Sequence, residues 1–345
     1  MGETIVGIDT GGTFTDFVLM VDGELRVHKE PSTPDNPAAA IVAGLDYLGV
    51  ESDDVVHGST VATNALLEQR GARTALVTTG GFEDVLEIGR QTRQAIYDLG
   101  VSKRLTLVAA DDRYGVRERV GPRGEVIIAL DAASLAEVAS RVAAGDYQAV
   151  AICLLHSYAN PEHEREVRRA LEAACDGFIT ASHEVLPEFR EYERTSTTVV
   201  NAYVGPLMQE YLGDLSTRMP SSRIRVMQSN GGSISLSAAQ RFPVQTVLSG
   251  PAGGVVGAVE MARLAGYPDT ITFDMGGTST DVSLCRGEPA RTSESSVAGL
   301  PIRLPLIDIH TVGAGGGSIA YRDPGGALRV GPRSAGAIPG PICYG

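Results

Sequence analysis

The sequence predicts an α/β protein built from two related domains, and three observations carry that prediction. The pattern Asp-x-Gly-Gly-Thr-x-Thr-Asp occurs twice, beginning at Asp9 and at Asp274. Each copy follows an apolar run that is typical of a β-strand. Between the copies, strand-like runs alternate with helix-like runs. With 345 residues, the chain is long enough for two domains.

The repetition itself indicates a duplicated domain. Over the twelve residues that start at Ile8 and at Phe273, seven are identical. The 265 positions between Asp9 and Asp274 are too many for a solenoid repeat. We therefore expect each copy to open a domain of its own. The predicted division places the first domain at residues 1–200 and the start of the second at residues 201–345.

The first elements are predicted as strands. Apolar runs at residues 4–8 and 17–21 and a return run at 25–29 indicate a meander, with a tight turn at Asp22-Gly23. A dinucleotide-binding unit would instead pass from its first strand directly into a helix. Helix-like and strand-like runs follow in turn: helices at 38–48 and 61–70, and a strand at 74–78.

Regular alternation resumes after residue 125. The predicted elements are helix 133–144, strand 149–155, helix 161–174, strand 177–182, helix 195–215 with a break at Gly205-Pro206, strand 224–228, helix 253–265, and strands 270–274 and 282–284. The second copy of the motif thus lies between two strands, as the first does.

Composition limits the class of partner. The chain is 43% hydrophobic and 21% charged, as in ordinary globular proteins, and its net charge is −13. This charge argues against a nucleic-acid or anionic-membrane partner. Any phosphate group must then be held by backbone amides and a metal ion. The four cysteines form no Cys-x-x-Cys pair, no apolar run approaches about 20 residues, and nothing resembles a signal peptide, so we expect a cytoplasmic protein with reduced thiols.

The repeated turns have the composition of phosphate-binding loops. Adjacent glycines allow backbone N–H groups to approach a ligand closely. An aspartate at the end of the preceding strand can hold Mg²⁺, so Asp9 and Asp274 are candidate catalytic and metal-binding residues. The candidate phosphate contacts are Gly11, Gly12, Thr13, Gly276, Gly277 and Thr278, with Thr15, Asp16, Thr280 and Asp281 as further contacts. The simpler interpretation is a pair of ordinary hairpin turns. Neither a Walker loop nor a dinucleotide-binding glycine motif is present in the sequence.

Several sequence blocks together resemble a known family. Paired phosphate hairpins in a duplicated domain are similar to those of the actin, heat-shock chaperone and sugar-kinase ATPase superfamily. The blocks VGIDTGGTFTDFV, HGSTVATNALLEQRGA, GFEDVLEIGRQTR, SGPAGGVVGA, FDMGGTSTDVSL and HTVGAGGGSIA resemble the hydantoinase A/oxoprolinase family. The resemblance runs through the whole chain. It implies an actin-like, ribonuclease H-like ATPase fold with nucleotide between two related domains.

The resemblance also implies an activity. Members of that family are ATP-using parts of hydantoinases, 5-oxoprolinases, lactamases and acetone-type carboxylases. It implies ATP and Mg²⁺ as cofactors, phosphorylation of a cyclic amide, imide or ketone oxygen, and ring-opening hydrolysis of a hydantoin or 5-oxoproline. A hydantoinase B-type partner subunit and an oligomeric assembly are further expectations. Family members usually extend beyond the Pro-Gly-Pro-x-Cys-Tyr-Gly sequence at 339–345, so the second domain is expected to be incomplete.

Further candidates lie outside the two turns. The block at residues 57–68 places His57, Thr60 and Asn64 at a strand-to-helix junction, where they could contact substrate or simply cap the helix. Arg90 and Arg93 could bind a phosphoryl group or a carboxylate, or form a solvated surface pair.

A third glycine-rich turn, Gly315, Gly316 and Gly317, is a candidate adenine-side contact by the same resemblance, although it follows the second hairpin at an unexpectedly short spacing. Asp308 and His310 alternate on one strand and face the same side. Two potential ligands do not define a metal site, and the sequence leaves their role open.

Two alternative functions remain at the sequence level. One is an acetone-carboxylase-like subunit that activates a ketone by the same phosphoryl step. The other belongs to a different class, a nucleotide-switched, non-catalytic binding domain with the same fold. Substrate-dependent ATP turnover separates the second alternative from the enzymes.

Overall fold

The computed structural model describes residues 5–11, 14–21, 24–33, 36–49, 54–92, 106–277, 279–335 and 340, and it shows a mixed α/β protein. The strands are β1 (Ile5–Thr10), β2 (Phe14–Val21), β3 (Glu24–Pro31), β4 (Asp54–Ser59), β5 (Thr74–Thr79), β6 (Arg113–Val116), β7 (Arg119–Val120), β8 (Val126–Ile128), β9 (Ala149–Cys153), β10 (Phe178–Ala181), β11 (Arg223–Met227), β12 (Ser233–Ser235), β13 (Asp269–Met275), β14 (Thr280–Arg286), β15 (Arg291–Thr292), β16 (Ser295–Val297), β17 (Leu300–Ile302), β18 (Leu306–Ile307), β19 (His310–Val312), β20 (Ser318–Arg322) and β21 (Leu328–Ser334).

The helices are α1 (Pro37–Leu48), α2 (Val61–Leu67), α3 (Val85–Ile88), α4 (Ala132–Ala144), α5 (Glu162–Glu172), α6 (Ser182–Val185), α7 (Glu191–Arg218), α8 (Leu236–Arg241) and α9 (Ser249–Leu264), with short 3-10 turns at Ala110–Asp112 and Pro243–Thr246. The residues at the two ends of α1 explain where this helix begins and ends. Asn36 caps its N-terminus by accepting a hydrogen bond from the Ala39 amide at 3.2 Å. Gly49 ends it with a φ of +64°, a left-handed conformation that favours glycine.

A six-stranded sheet forms the first structural unit, in the order β12-β11-β4-β1-β2-β3. The β1, β2 and β3 strands form the predicted antiparallel meander, while β1, β4 and β11 run parallel. Alternation along β1 places Val6 and Ile8 in the core and leaves Asp9 exposed. On the core face, α1 lies so close to β2 that any Cβ at Gly44 would overlap the Phe17 ring.

A four-stranded parallel sheet, β10-β9-β5-β6, is inserted between β4 and β11. Its two central strands, β5 and β9, are buried along their whole length because helices cover both faces. One face packs on α4 and α5 through residues such as Val77 and Val150. The other packs on α7 through residues such as Leu76 and Ala151.

The α7 helix joins these two sheets and continues through Pro206, so the predicted break at Gly205-Pro206 does not occur. The division predicted at residue 200 falls inside this helix. The β11 and β12 strands, which follow α7, pair in the first sheet because β4 still offers a free edge to a parallel neighbour. The first structural unit therefore contains residues from both sides of position 200.

The second copy of the motif lies in a separate three-stranded antiparallel sheet, β13-β14-β19. The α9 helix covers one face of this sheet, where Val255 and Val259 pack with Cys285 and Ile307. Two-stranded pairs β15-β18, β16-β17, β20-β21 and β7-β8 complete the described sheets. In the part of the chain that the structure describes, no helix is both long and apolar enough to cross a membrane. Cys153, Cys175 and Cys285 are free thiols, and Cys343 lies outside the described residues.

Candidate functional site

The first copy of the motif is a β-hairpin between β1 and β2. Asp9 lies opposite Asp16 across the two strands. The amide of Gly11 donates to the carbonyl oxygen of Phe14 at 3.0 Å and closes the turn. The Ser32 hydroxyl, at the end of β3, donates to the Gly11 carbonyl at 2.8 Å and fixes the turn to the neighbouring strand.

The second copy repeats this arrangement between β13 and β14. Asp274 lies opposite Asp281, and the amide of Gly276 donates to the Ser279 carbonyl at 2.9 Å. Register and turn closure match the first hairpin position for position. Both copies therefore form the strand–turn–strand units that the sequence predicts.

The fold brings the two motif aspartates into one site. The pKa of Asp9 is raised, chiefly because the surrounding protein desolvates it even though its side chain reaches solvent. Repulsion from Asp16 and from Asp274 raises this pKa further, whereas Lys29 lowers it. Lys29 forms an ion pair with Asp16 at 2.5 Å. Although 265 positions separate the two residues in the sequence, Asp274 thus lies close enough to raise the pKa of Asp9.

Three glycines lie next to these carboxylates. A Cβ at Gly58, opposite Asp9 on β4, would come within 2.8 Å of the Asp9 Oδ1 atom. A Cβ at Gly250 would lie 3.5 Å from the same oxygen, and a Cβ at Gly254 would lie 3.9 Å from Asp274 Oδ2. The first turns of α9 therefore run from one carboxylate to the other. The N-terminal end of a helix also favours negative charge, as on a phosphate group.

The start of α9 is anchored on the junction between β4 and α2. The Ser249 hydroxyl donates to the Ser59 carbonyl at 3.2 Å. The Leu248 amide donates to the Thr63 hydroxyl at 2.9 Å, with Leu248 itself at a φ of +64°. Sequence reasoning did not assign Gly58, Gly250 or Gly254 to the site. The available signal was the run of small residues Ser-Gly-Pro-Ala-Gly-Gly, which is unusual at the start of a helix.

His57 lies directly beneath the first hairpin and its side chain is completely buried. Its Nε2 lies 2.5 Å from the hydroxyl oxygen of Tyr211 on α7. Burial lowers the pKa of His57 to about 4, with a small opposing effect of the Ile8 carbonyl, so the ring is neutral near pH 7. Burial likewise raises the pKa of Tyr211. A residue without exposed surface cannot touch a substrate, so the geometry supports a role for His57 in positioning β4 beside β1.

Thr60 and Asn64 remain close to the site. Thr60 donates from its hydroxyl to the Thr10 carbonyl at 3.1 Å, next to the end of β1. Asn64 donates to the Thr60 hydroxyl at 3.3 Å. Arg90 lies elsewhere, where it bridges Glu193 at 2.5 Å and Glu294 at 2.9 Å. In this structure Arg90 joins α7 to the segment before β16.

The second threonine of each motif has its hydroxyl in a hydrogen bond within the protein. Thr15 is buried and lies 3.1 Å from the Ser32 hydroxyl. Thr280 is buried and donates to the Ala314 carbonyl at 2.6 Å. Both side chains therefore support the hairpins from beneath. Asp281, at the second hairpin, accepts a hydrogen bond from Thr311 at 2.6 Å.

The third glycine-rich turn packs against the second hairpin. Gly316 and Gly317 donate to the carbonyls of Gly276 and Gly277 at 2.9 and 2.7 Å. Gly315 donates to the Ser318 hydroxyl at 2.8 Å. All three amides are thus bonded within the protein, and the adenine-side contact expected from the sequence stays a prediction. The short spacing noted in the sequence has its explanation here, because the turn is part of the second hairpin's support.

Some predicted positions lie outside the described residues, namely Gly12, Thr13, Arg93 and Thr278. Asp308 and His310 are both exposed, and the described ranges hold no group of three or more His, Cys, Asp or Glu side chains that could bind a metal. Asp9 and Asp274 still suit Mg²⁺ in a nucleotide complex, because this ion takes one or two carboxylates and fills its other positions with phosphate and water oxygens.

Comparison with known proteins identifies the family of this chain. The model of the hydantoinase/oxoprolinase N-terminal region matches residues 5–175, and the hydantoinase/oxoprolinase model matches residues 194–345. The chain is 40% identical to caprolactamase subunit alpha of Pseudomonas jessenii, over 99% of this chain and 52% of that protein. It is 38% identical to 5-oxoprolinase 1 of Arabidopsis thaliana, over 100% of this chain and 31% of that protein.

Two solved structures agree with these matches. The ATP-dependent caprolactamase from Pseudomonas jessenii superposes with a TM-score of 0.87 at 37% identity, over 99% of this chain and 52% of that chain. Nucleotide-free acetone carboxylase superposes with a TM-score of 0.83 at 32% identity, over 96% of this chain and 51% of that chain. The chain spans about half the length of these relatives or less. By both family models and by these similarities, the chain belongs to the hydantoinase/oxoprolinase family.

Proposed function

We propose that this chain is the ATP-binding part of an enzyme that uses ATP to activate a cyclic amide or imide for ring-opening hydrolysis. The observation that carries the proposal is that Asp9 and Asp274, from two matching hairpins, lie beside Gly250 and Gly254, one turn apart at the start of α9. The order of the six-stranded sheet, a meander continued by parallel strands, supports an actin-like fold for the first unit. Two similar proteins, caprolactamase and acetone carboxylase, are themselves described as ATP-dependent.

The residues suggest how the reaction is promoted. The substrate carbonyl oxygen attacks the γ-phosphorus of ATP, the bond from this phosphorus to the β,γ-bridging oxygen breaks, and ADP leaves. The products of this step are ADP and an O-phosphorylated amide, in which the carbon bonded to the phosphorylated oxygen is electrophilic. The protein's contribution to such a step is positioning and electrostatic stabilisation. Hydrolysis of the activated ring is assigned to a hydantoinase B-type partner.

Each half of the site has a separate task in this scheme. The two hairpin turns would lie against the phosphate groups, and the N-terminal end of α9 would add favourable potential between the hairpins. Asp9 and Asp274 would hold Mg²⁺, which would neutralise phosphate charge in a protein whose net charge is −13. Substitution of either aspartate by asparagine removes a negative ligand and changes the volume of the side chain little.

Thermal unfolding with and without Mg·ATP tests the nucleotide site in this chain alone. A ligand at 100 times its Kd stabilises the folded state by about 2.7 kcal/mol, so wild-type protein should unfold at a higher temperature. The Asp9→Asn and Asp274→Asn variants should lose most of this shift. Asp269→Asn, at the exposed far end of β13, is the matched control and should retain it. An unchanged shift in both motif variants refutes the two-hairpin site.

The structural similarity to acetone carboxylase favours a second candidate, activation of a ketone by the same phosphoryl step. Substrate-dependent ATP hydrolysis with a purified partner subunit separates the two. Stimulation by 5-oxoproline, hydantoin or caprolactam supports the amide proposal. Stimulation by acetone with bicarbonate supports the ketone instead, and Mg·ATP binding without turnover on any of these compounds supports a nucleotide switch.

A further inference from the structure

A surface cavity of about 580 Å³ lies where α5 and α6, beside the inserted sheet, meet α8 of the first unit. We call it the arginine pocket and define it by the described residues that line it: Glu162, Arg165, Arg168, Arg169, His183, Glu184 and Arg241. Its volume is in the range of small-molecule sites. None of these residues belongs to the two hairpins or to α9, so the pocket is separate from the nucleotide site proposed above.

The arginine pocket concentrates positive charge in an acidic protein. Four arginines and two glutamates line it, an excess of two positive charges in a chain whose net charge is −13. Arg165, Arg168 and Arg169 lie three and four positions apart on α5 and share one side of that helix, while Arg241 comes from α8. From the net charge we expect phosphate groups only on backbone amides and a metal ion, and this pocket offers a different environment.

Ion pairs hold two of these arginines in place. Arg168 contacts Glu184 at 2.6 Å and Glu172 at 2.8 Å, and Arg241 contacts the other oxygen of Glu184 at 2.6 Å. Burial raises the pKa of Glu184, but the hydrogen bond and the charge of Arg168 outweigh this effect, so the pKa is lowered and the group stays ionised. Glu184 therefore links α5 to α8 across the pocket.

Other arginine donors in the pocket have no acceptor among the described residues. Arg169 donates from its Nε to the Arg165 carbonyl at 3.4 Å, and both of its terminal nitrogens are free. Arg165 bonds Glu162 through Nη1, and Arg241 bonds Glu184 through Nη2, which leaves one terminal nitrogen on each. All three side chains reach solvent. Two helices thus supply unused guanidinium N–H groups to one cavity.

His183 adds a hydrogen-bonding group of another kind. The buried carboxylate of Glu164 accepts hydrogen bonds from the amides of Leu154 at 2.8 Å and His183 at 2.9 Å. Its Oε2 lies 2.6 Å from His183 Nδ1, which therefore donates to it. No described residue bonds Nε2 of this ring, which accepts a hydrogen bond when the ring is neutral and donates one when it is protonated.

We propose that the arginine pocket binds the phosphate group of a small phosphate monoester. Such a group has three terminal oxygens. The free donors come from three elements, with Arg165 and Arg169 on α5, Arg241 on α8 and His183 on α6. A carboxylate has two oxygens in one plane and suits a single guanidinium fork, so donors from several elements favour phosphate.

The chemistry of the histidine also suits this ligand. A phosphate monoester exchanges its second proton near pH 6, close to the ordinary range of a histidine. Either partner can therefore donate the hydrogen bond between His183 Nε2 and a phosphate oxygen. The inference concerns α5, α6 and α8 and stands whether or not the hairpins bind ATP.

Nitrogen NMR of the histidine rings at constant ionic strength locates the ligand. In the free protein, His183 should show the tautomer with hydrogen on Nδ1, and the His183→Gln variant identifies its signals. Added inorganic phosphate should shift the Nε2 signal to saturation, and glycerol 3-phosphate should do so at an equal or lower concentration. Phosphate bound at the hairpins alone leaves this signal unchanged.

Two arginine variants complete the test. Arg169→Gln should raise the apparent Kd of both probes at least tenfold, because it removes charge-assisted hydrogen bonds to the ligand. It should not lower the melting temperature, since this side chain is exposed. Arg218→Gln, at an exposed arginine of α7 that pairs with Asp214 at 2.9 Å, is the matched control and should leave both Kd values unchanged.

Three outcomes would overturn the proposal. The first is a His183 signal that neither probe shifts, or that shifts equally in Arg169→Gln. The second is a response to inorganic phosphate without one to glycerol 3-phosphate, which would make free phosphate the ligand. The third is a hexaglutamate peptide that saturates the shift at a lower concentration than glycerol 3-phosphate, which would make the pocket a contact for an acidic polypeptide.

Discussion

His57 is a histidine that the fold keeps neutral at the base of the first hairpin. Its pKa falls from 6.5 to about 4 because the ring is fully buried. Between these two pH values the unfolded chain binds more protons than the folded chain, so the free energy of unfolding should fall as the pH is lowered from about 6.5 to 4. A shift of this size corresponds to about 3 kcal/mol at the acid end, at roughly 1.4 kcal/mol per pKa unit.

Urea unfolding between pH 4.5 and 7.5 measures this dependence. The His57→Gln variant should show a flatter pH dependence than wild type, while His310→Gln, at an exposed position, should match wild type. The raised pKa of Asp9 acts in the opposite sense, since a carboxyl that binds its proton more readily when folded gains stability as the pH falls. The difference between variant and wild type therefore reports His57. Equal slopes in both proteins would contradict the assignment.

The positions of the hairpin residues can be predicted from the sequence. The positions of residues that pack against segments far away in the sequence cannot. Asp9 and Asp274 could be paired from the repeated motif because turn chemistry and strand register are local properties. The burial of His57 depends on α7, whose Tyr211 lies 154 positions away. The positions of Gly58 and Gly250 beside one carboxylate likewise depend on how α9 docks, which no local pattern encodes.

At the scale of elements, α9 connects the two hairpins with its first turns. Gly250 lies beside Asp9 and Gly254 beside Asp274, one helical turn further along. Glycine in a helix is less favourable than alanine by roughly 1 kcal/mol, so a helix with several glycines in its first turns needs another reason for them. A Cβ at either position would make only an ordinary van der Waals contact with its carboxylate, so room for a larger ligand beside the carboxylates is the reason we propose.

A leucine at position 254 tests this role. Gly254→Leu should leave the chain folded, or stabilise it slightly, because leucine favours helix over glycine by up to roughly 1 kcal/mol. Its side chain should fill the space beside Asp274 and abolish the thermal shift caused by Mg·ATP. Gly257→Leu, where a Cβ meets nothing within 4 Å, is the matched control and should keep the shift. Nucleotide binding that survives in Gly254→Leu would place the ligand away from α9.

At the scale of the whole molecule, the two hairpins belong to different sheets, and the first aspartate of each lies beside α9. The β1 hairpin belongs to the six-stranded sheet and the β13 hairpin to the three-stranded sheet. The division predicted at residue 200 falls within α7, and β11, which follows that helix, pairs with β4 in the first sheet. A ligand held by both hairpins must therefore couple two units with separate cores.

Hydrogen exchange measures this coupling directly. Binding of Mg·ATP should slow amide exchange in residues 5–20 and in residues 269–286 together, since the nucleotide is proposed to hold both hairpins at once. Asp274→Asn lies only in the second hairpin, yet it should remove the protection of the first hairpin as well. Asp269→Asn, at the other end of β13, should preserve protection in both segments. If Asp274→Asn removes protection at residues 269–286 and leaves residues 5–20 fully protected, the first hairpin binds nucleotide alone and the shared site is wrong.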